Sequence, residues 1–222
     1  MIADAGLVAR KDLRIELRSR VALGQVLPFV LAVLLLFAFA FDADSPLLRR
    51  ATPGVFWVTT LFAAVLVVQR SFAAEQSDGI LDALRLSGLR PAGIFLGKAT
   101  ALAVQLFVIE LVLFVGIVVL YDVGLDRVGL LAVTTVCASV AIAAAGSIYG
   151  PLAAGTRARD TALPLLMVPA LAPVLLGATR AFDIALGRGV GGGWSWAAML
   201  GIFAVAYLAL GAVVWGPLLE ET

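Results

Sequence analysis

Residues 92–120 read AGIFLGKATALAVQLFVIELVLFVGIVVL, and this run indicates what kind of protein the chain is. Its charged residues are Lys98 and Glu110 alone. A helix needs about 20 mostly apolar residues, at about 1.5 Å rise each, to cross about 30 Å of hydrocarbon. The run exceeds that length and lacks the two-residue alternation of strands in membrane barrels. It therefore predicts a membrane-spanning helix that is long enough to tilt strongly or to break.

The composition of the whole chain agrees with an integral membrane protein. Of its 222 residues, 62% are hydrophobic and 14% are charged, and the mean hydropathy is +1.07. A soluble domain carries about 25% charged residues, whereas a lipid-facing surface needs apolar side chains outside as well as inside. These values exclude a soluble domain, a disordered chain, collagen and a disulfide-stabilised scaffold.

Five further apolar runs are bounded by charged residues, Gly or Pro. The six predicted spans are residues 21–41, 51–68, 92–120, 128–150, 161–177 and 194–215. The first follows basic residues and ends in small residues near Ala38, as a secretory signal peptide does, but its length exceeds the ~7–15 apolar residues of a signal sequence. We therefore predict an all-α integral membrane protein with six transmembrane helices in one polytopic domain, residues 1–222.

The distribution of Lys and Arg predicts the orientation. Residues 1–20, the predicted cytoplasmic loop 69–98 and the loop after the fourth span carry eleven of the 16 basic residues. Cytoplasmic segments retain positive charge, so we expect both termini in the cytoplasm. Within residues 1–20, Arg10, Arg14 and Arg18 predict a helix with a basic stripe. Two interpretations of this helix stay open: an anchor against anionic headgroups, or an elbow that docks a cytoplasmic partner.

The loop 69–98 has the pattern of a short helix near its middle. Asp78 can cap the N-terminus, and Gly88 followed by Pro91 can end the segment. Three apolar residues share one side: Ile80, Leu81 and Leu84. A coupling helix that docks into a groove on a motor subunit needs this pattern, and so does a connector on the membrane surface. The residues alone leave both interpretations open.

Glu110 is the most costly residue of the chain, because it lies near the middle of the third span. It must face other helices. Lys98 is not its partner, since 12 residues separate the two by about 18 Å along the helix and about 120° around it. Either Glu110 has a function in the membrane, or it is protonated and bonded to a neighbouring helix.

Small residues and prolines predict how the helices pack. Two small-residue motifs predict close approach inside one chain, rather than a dimer seam: Gly93-x-x-x-Gly97 and Gly146-x-x-x-Gly150. Three prolines predict a kink or a break in the fifth span, with Pro169 and Pro173 as the helix-breaking pair: Pro164, Pro169 and Pro173. Such a bend suits either a gate or simple packing curvature.

The residue inventory limits the chemistry. The chain has no His, one Cys and three Met, so it cannot build a zinc tetrad, an iron–sulfur cluster or a His-ligated haem site. It has no Gly-rich phosphate loop and no acid–base constellation. We therefore expect no metal site, no bound cofactor and no catalytic activity, and any ATP must be hydrolysed by another chain.

Several ordered motifs resemble the CcmB family, the haem exporter B permeases of cytochrome c maturation. They are Leu13-Arg14 with Leu17-Arg18, the run LRRATPGVFWV at 48–58, Arg70-x-Phe72, Asp78-Gly79-x-Leu81, Gly97-Lys98-Ala99, and the proline pair of the fifth span. The similar spacing extends over almost the whole chain. Glu110 falls where that family is usually apolar.

The resemblance implies an ABC-2-type permease of six helices in the bacterial inner membrane, paired with a CcmA-like ATPase subunit. It also implies a CcmC-like haem-handling membrane protein, a small CcmD-like subunit, a CcmE-like haem chaperone and a homodimer within the complex. Haem and ATP are then used by the partners, and no nucleic acid is involved. The residues that would couple to the ATPase are Arg70, Asp78, Gly79, Ile80, Leu81 and Leu84.

We therefore expect a non-catalytic subunit that couples a partner's ATP hydrolysis to haem delivery or to release of the haem-loaded chaperone. An ABC-2 exporter of a drug, a lipid or a polysaccharide would have the same architecture. A stand-alone proton-coupled transporter that uses Glu110 is a third class. That class predicts inverted repeats and a second buried ionisable residue, and the sequence contains neither.

Overall fold

A computed structural model of the chain describes residues 1–19, 21–42, 45–77, 88–154 and 159–221. These residues form helices and connecting turns, without a strand. The seven helices of this described part are α1 (Ile2–Ser19), α2 (Val21–Ala40), α3 (Pro46–Ser77), α4 (Pro91–Leu120), α5 (Val128–Ala154), α6 (Arg159–Ala185) and α7 (Gly193–Glu221).

Five of the helices, α3 to α7, are long and apolar enough to cross a membrane. The apolar part of α2, Gly24–Ala40, is shorter. The all-helical membrane architecture is therefore confirmed. The sixth span stays a prediction, because α2 lies where it was expected but falls below the length of the other five.

The loop predicted at 69–98 is wrong over much of its length. Helix α3 continues to Ser77, so Arg70 and Phe72 lie on it, and α4 begins at Pro91. The stretch from Gln69 to Ser77 contains neither Gly nor Pro, so nothing in it ends a helix. The segment between the two helices is accordingly much shorter than the sequence suggested.

Of the kink or break predicted in the fifth span, the break is wrong, and the kink stays a prediction. Helix α6 continues through Pro164, Pro169 and Pro173, and α4 likewise runs without interruption. A proline leaves carbonyl groups of the preceding turn without their helical donor, and a neighbouring membrane helix can replace it. Tyr207 of α7 makes a polar contact with this helix, because its hydroxyl donates to the carbonyl of Ala170 at 2.7 Å.

Helix α5 lies at the centre of the bundle and contacts α3, α4, α6 and α7. Residues 139–147 read SVAIAAAGS, and the small side chains in this stretch let four helices approach α5. Gly146 faces Val68 of α3, where an added Cβ would lie 2.6 Å from the valine methyl. Gly150 faces the ring of Phe72 in the same way. The prediction that this motif packs inside one chain is confirmed.

The other small-residue motif receives the N-terminal helix. A Cβ on Gly93 would lie 2.8 Å from Asp4 Cβ, and one on Gly97 would lie 2.6 Å from Val8 Cβ. The paired residue numbers rise together, so α1 runs parallel to the first turns of α4. The prediction that this motif packs inside one chain is confirmed as well. The helix that packs on it is α1, the basic N-terminal helix, for which the sequence allowed two interpretations.

Candidate functional site

The predicted coupling residues Asp78, Gly79, Ile80, Leu81 and Leu84 fall outside the described residues. The two ends that hold this segment are described. Arg70 lies half-buried on α3, two turns before that helix ends at Ser77. The described part of the candidate site therefore consists of the helix ends that flank residues 78–87.

Gly88, Arg90 and Pro91 lead into the start of α4. Gly88 has φ +69°, a left-handed conformation that suits glycine. Arg90 is extended, and Pro91 is the first residue of α4. Proline is favoured there because its missing N–H has no helical partner at that position. The short helix that Gly88 and Pro91 were predicted to end falls outside the described residues, so that end stays a prediction.

Three buried rings meet next to these helix ends, and we call them the aromatic junction: Phe72 of α3, Phe95 of α4 and Trp215 of α7. The centroid of Trp215 lies 6.4 Å from that of Phe72 and 5.5 Å from that of Phe95. Both distances lie in the range at which aromatic pairs attract. The junction joins the end of α3, the start of α4 and the end of α7.

Two glycines make room for the junction. A Cβ on Gly150 of α5 would overlap the ring of Phe72, and a Cβ on Gly211 of α7 would overlap the ring of Phe95. Because all three rings are at most 2% exposed, they have no open space into which to move. The ends of α3, α4, α5 and α7 are therefore packed against one another at this level.

Lys98 connects the junction to α1. Its ammonium lies 5.0 Å from the centroid of the Phe72 ring and 3.5 Å from a carboxylate oxygen of Asp12. The lysine is 2% exposed, and a buried charge is costly unless it is paired. Asp12 is also 2.8 Å from Lys11. In the sequence, Lys98 resembles a loop charge and Asp12 is inconspicuous, because no local pattern indicates a pairing between residues 86 positions apart.

Glu110 of α4 is buried and meets Ser139 of α5. The serine Oγ lies 2.6 Å from Oε1 and 2.7 Å from Oε2 of the glutamate, and 2.7 Å from the carbonyl oxygen of Thr135. A hydroxyl has one hydrogen, so it cannot donate to the glutamate and to the carbonyl together. A protonated Glu110 satisfies all three groups, since it donates to Ser139, which then donates to Thr135. Such a contact corresponds to the second interpretation of Glu110, a protonated side chain bonded to a neighbouring helix.

Among the residues whose burial is described, Glu110 and Lys98 are the buried charged side chains. Glu110 also borders a crevice of about 270 Å³ between α4 and α5, with Phe107 and Phe114 beside it. Within the described residues, no group of three or more Cys, Asp or Glu is placed to hold a metal ion. Lys98 is thus a second buried ionisable residue, which the sequence alone did not indicate, and its ammonium lies 3.5 Å from Asp12.

Comparison with known proteins identifies the family. The sequence model of the CcmB family, described as CcmB protein, matches residues 4–219. Heme exporter protein B of Haemophilus influenzae is 29% identical over 180 residues, 80% of each chain. The protein of the same name from Bradyrhizobium diazoefficiens is 32% identical over 179 residues, 79% of each chain. The Escherichia coli K12 protein of that name is 32% identical over 94 residues, 42% of this chain and 43% of its own. The chain therefore belongs to the CcmB family.

Proposed function

We propose that this chain is the permease subunit of an ABC complex for c-type cytochrome biogenesis. It couples ATP hydrolysis by a CcmA-like partner to haem delivery or to release of a haem-loaded, CcmE-like chaperone. The observation that carries the proposal is the family match over residues 4–219, together with relatives of similar length that are named Heme exporter protein B. The alternative, an ABC-2 exporter of another substrate, has no comparable support.

The ATPase contact is residues 78–87, which join α3 to α4. Arg70, Asp78, Gly79, Ile80, Leu81 and Leu84 form the coupling surface in this proposal. The described helix ends support it, because Phe72 and Phe95 are packed through the aromatic junction at nearly zero exposure. A close-packed interior transmits displacement rather than absorbing it. A push on α3 is therefore passed to α4 and α7.

The N-terminal helix takes part in this movement. Gly97 brings the α1 and α4 backbones close together, and Lys98 joins Asp12 to the ring of Phe72. These contacts tie α1 to the same helix ends that flank residues 78–87. In the proposal, α1, α3 and α4 move as one unit when the ATPase closes.

Haem is handled by the partners, a CcmC-like membrane protein and the chaperone, with a small CcmD-like subunit beside them. The chain's sulfur side chains support this division. Met167 is fully buried, Cys137 is half-buried, and the Met199 methyl packs against Gly177. A haem axial ligand must reach an open pocket, and these positions offer poor access. The chain binds no cofactor of its own in this proposal, and ATP stays with the partner ATPase.

The chain is a multi-pass membrane protein of bacterial type, and we place it in the inner membrane with both termini in the cytoplasm. The excess of basic residues on the side of residues 1–20 and 78–98 supports this orientation. Two copies pair within the complex, because an ABC motor works as two ATPase subunits that each need a coupling surface.

The test is co-purification in a mild detergent, with partner chains identified by mass spectrometry and haem read by absorbance. An ATPase with CcmC-like and CcmE-like chains supports the proposal. An ATPase without haem-handling chains supports the exporter alternative, and the absence of an ATPase refutes coupling.

Leu81→Asp should abolish retention of the ATPase while membrane insertion is unchanged, because a charge replaces an apolar contact. The matched control is Leu125→Asp, since Leu125 is an exposed apolar residue of the turn between α4 and α5, on the opposite side. Equal ATPase retention in the two variants would contradict the assignment of residues 78–87.

A further inference from the structure

Glu110 has no task in the proposed function, and it lies beside an opening between α4 and α5. The opening is a crevice of about 270 Å³, and we call it the Glu110 crevice. Glu110 and Thr135 are the polar residues that line it, and its remaining walls are apolar side chains, which include the rings of Phe56, Phe107 and Phe114. The crevice therefore connects an apolar surface with a buried carboxyl.

The Glu110 crevice opens along its side toward the hydrocarbon. Leu111 of α4 is 64% exposed and Val136 of α5 is 51% exposed, and both side chains line the crevice. The two helices are among those long and apolar enough to span a bilayer. Glu110 precedes the end of α4 at Leu120 by about 15 Å, against about 30 Å of hydrocarbon. Molecules dissolved among the acyl chains can therefore reach the crevice at the depth of Glu110.

The hydrogen bonds of Glu110 require a carboxylic acid. Ser139 Oγ lies 2.6 Å from Oε1 and 2.7 Å from Oε2 of the glutamate, and 2.7 Å from the carbonyl oxygen of Thr135. The serine has one hydrogen and the carbonyl can only accept. The three groups are satisfied together when the carboxyl supplies the hydrogen that joins it to Ser139.

The charges of the surrounding helices do not stabilise an ionised Glu110. Helices α2 and α5 contain no charged residue, and α3 has none between residues 50 and 70. The other charged residue of α4 is Lys98, which lies about 18 Å along the helix and pairs with Asp12 at 3.5 Å. Within the part of the chain that the structure describes, no cation forms an ion pair with Glu110.

The charged helix α1 lies on the other side of α4. Leu17 of α1 and Val108 of α4 line one groove together, and Val108 is about 200° around the helix from Glu110. The α4 backbone therefore separates the charges of α1 from this carboxyl. Because an unpaired charge in hydrocarbon is costly, the neutral acid is the stable form of Glu110.

We propose that Glu110 is a proton-binding and modification site inside the membrane, which uncharged, membrane-soluble carbodiimides reach through the Glu110 crevice. A carbodiimide requires a protonated carboxyl and an apolar path to it, and the crevice supplies both. The site depends on the packing of α4 on α5 and not on the cargo of the complex, so it stands apart from the proposed function.

The reaction adds the acid to the reagent without a leaving group. The carboxyl hydrogen of Glu110 moves to one nitrogen of the carbodiimide, and a carboxyl oxygen bonds to the central carbon. The acyl group then moves from that oxygen to the other nitrogen, which gives a stable N-acylurea. Exclusion of water favours this second step over hydrolysis of the intermediate. The chain therefore gains the mass of one reagent.

The experiment treats the full chain in mild detergent with dicyclohexylcarbodiimide, and a second sample with a charged, water-soluble carbodiimide and glycine ethyl ester as the trapping amine. Mass spectrometry of peptides locates the products. Dicyclohexylcarbodiimide should modify Glu110. The charged reagent should leave Glu110 unmodified while it reacts with exposed acids such as Asp122, whose side chain is 82% exposed. A Glu110 that does not react with dicyclohexylcarbodiimide, or that reacts equally with both reagents, would overturn the proposal.

Three variants test the residue and the route. Glu110→Gln should remove the product from its peptide, and a product that persists there would overturn the assignment. Val136→Trp should lower the modification of Glu110 several-fold, because the indole fills the crevice. The matched control is Val133→Trp, since Val133 is an exposed valine of the same helix that does not line the crevice, and it should react as the unmodified chain does. Equal loss in the two tryptophan variants would overturn the route through the crevice.

Discussion

Replacing Gly211 by Ala should destabilise the protein through the aromatic junction. An added Cβ overlaps the ring of Phe95, which is fully buried and packed on Trp215 at 5.5 Å between centroids. Overpacking a filled core costs about 1–3 kcal/mol. An interior Gly→Ala change otherwise favours a helix by up to about 1 kcal/mol.

Gly201→Ala is the matched control, because Gly201 lies in the same helix and its nearest neighbour, Cys137 Sγ, is at an ordinary 3.9 Å. The two variants should therefore differ by about 1–3 kcal/mol in the free energy of unfolding, with Gly211→Ala the less stable. The assay is reversible unfolding by sodium dodecyl sulfate in mixed micelles. It follows tryptophan fluorescence, to which Trp215 of the junction contributes.

A double variant identifies the cause. Phe95→Leu shortens the side chain that the new Cβ of Gly211→Ala would overlap. The double variant should therefore lose about 1 kcal/mol less free energy of unfolding than the sum of the two single variants. Equal stability of Gly211→Ala and Gly201→Ala, or strict additivity in the double variant, would refute the packing described for the junction.

Two further predictions concern polar contacts inside the bundle. Ser139→Ala should cost about 1–3 kcal/mol, because it removes the partner of the buried Glu110 carboxyl, whereas Glu110→Gln should change the free energy of unfolding little, since an amide can also donate to Ser139. Unfolding measurements would contradict the protonated state if Glu110→Gln were the more damaging of the two. Tyr207→Phe should cost about 1 kcal/mol, because it removes the hydroxyl that donates to the Ala170 carbonyl of α6. Tyr149→Phe serves as the control, and an equal loss in both would show that the Tyr207 bond contributes nothing particular to α6.

Much of the fold could be predicted because a segment that crosses hydrocarbon must be apolar and must bond its own backbone polar groups. Runs of about 20 apolar residues have no other stable form in hydrocarbon, so the positions of α3 to α7 follow from composition. Helix α4 begins at Pro91, one residue before the predicted start of the third span at Ala92, because proline suits the first turn of a helix. The small-residue motifs likewise indicated close approach before any partner helix was known.

What the sequence missed depends on contacts between distant residues. The apolar run 51–68 ended where the hydropathy fell, although nothing ends the helix before Ser77. The three prolines of α6 indicated a kink or a break, but they do not interrupt the helix. Lys98 and Asp12 each resemble an ordinary surface charge in the sequence. Only the packing of α1 on Gly93 and Gly97 brings them together.

The most direct test of the central claim is site-specific photo-crosslinking. A benzoylphenylalanine introduced at Leu81 should crosslink to the partner ATPase in native membranes, and the same residue at Leu125, on the opposite side, should not. Crosslinking of both positions, or of neither in a complex that still contains the ATPase, would contradict the proposal that residues 78–87 couple this chain to its motor.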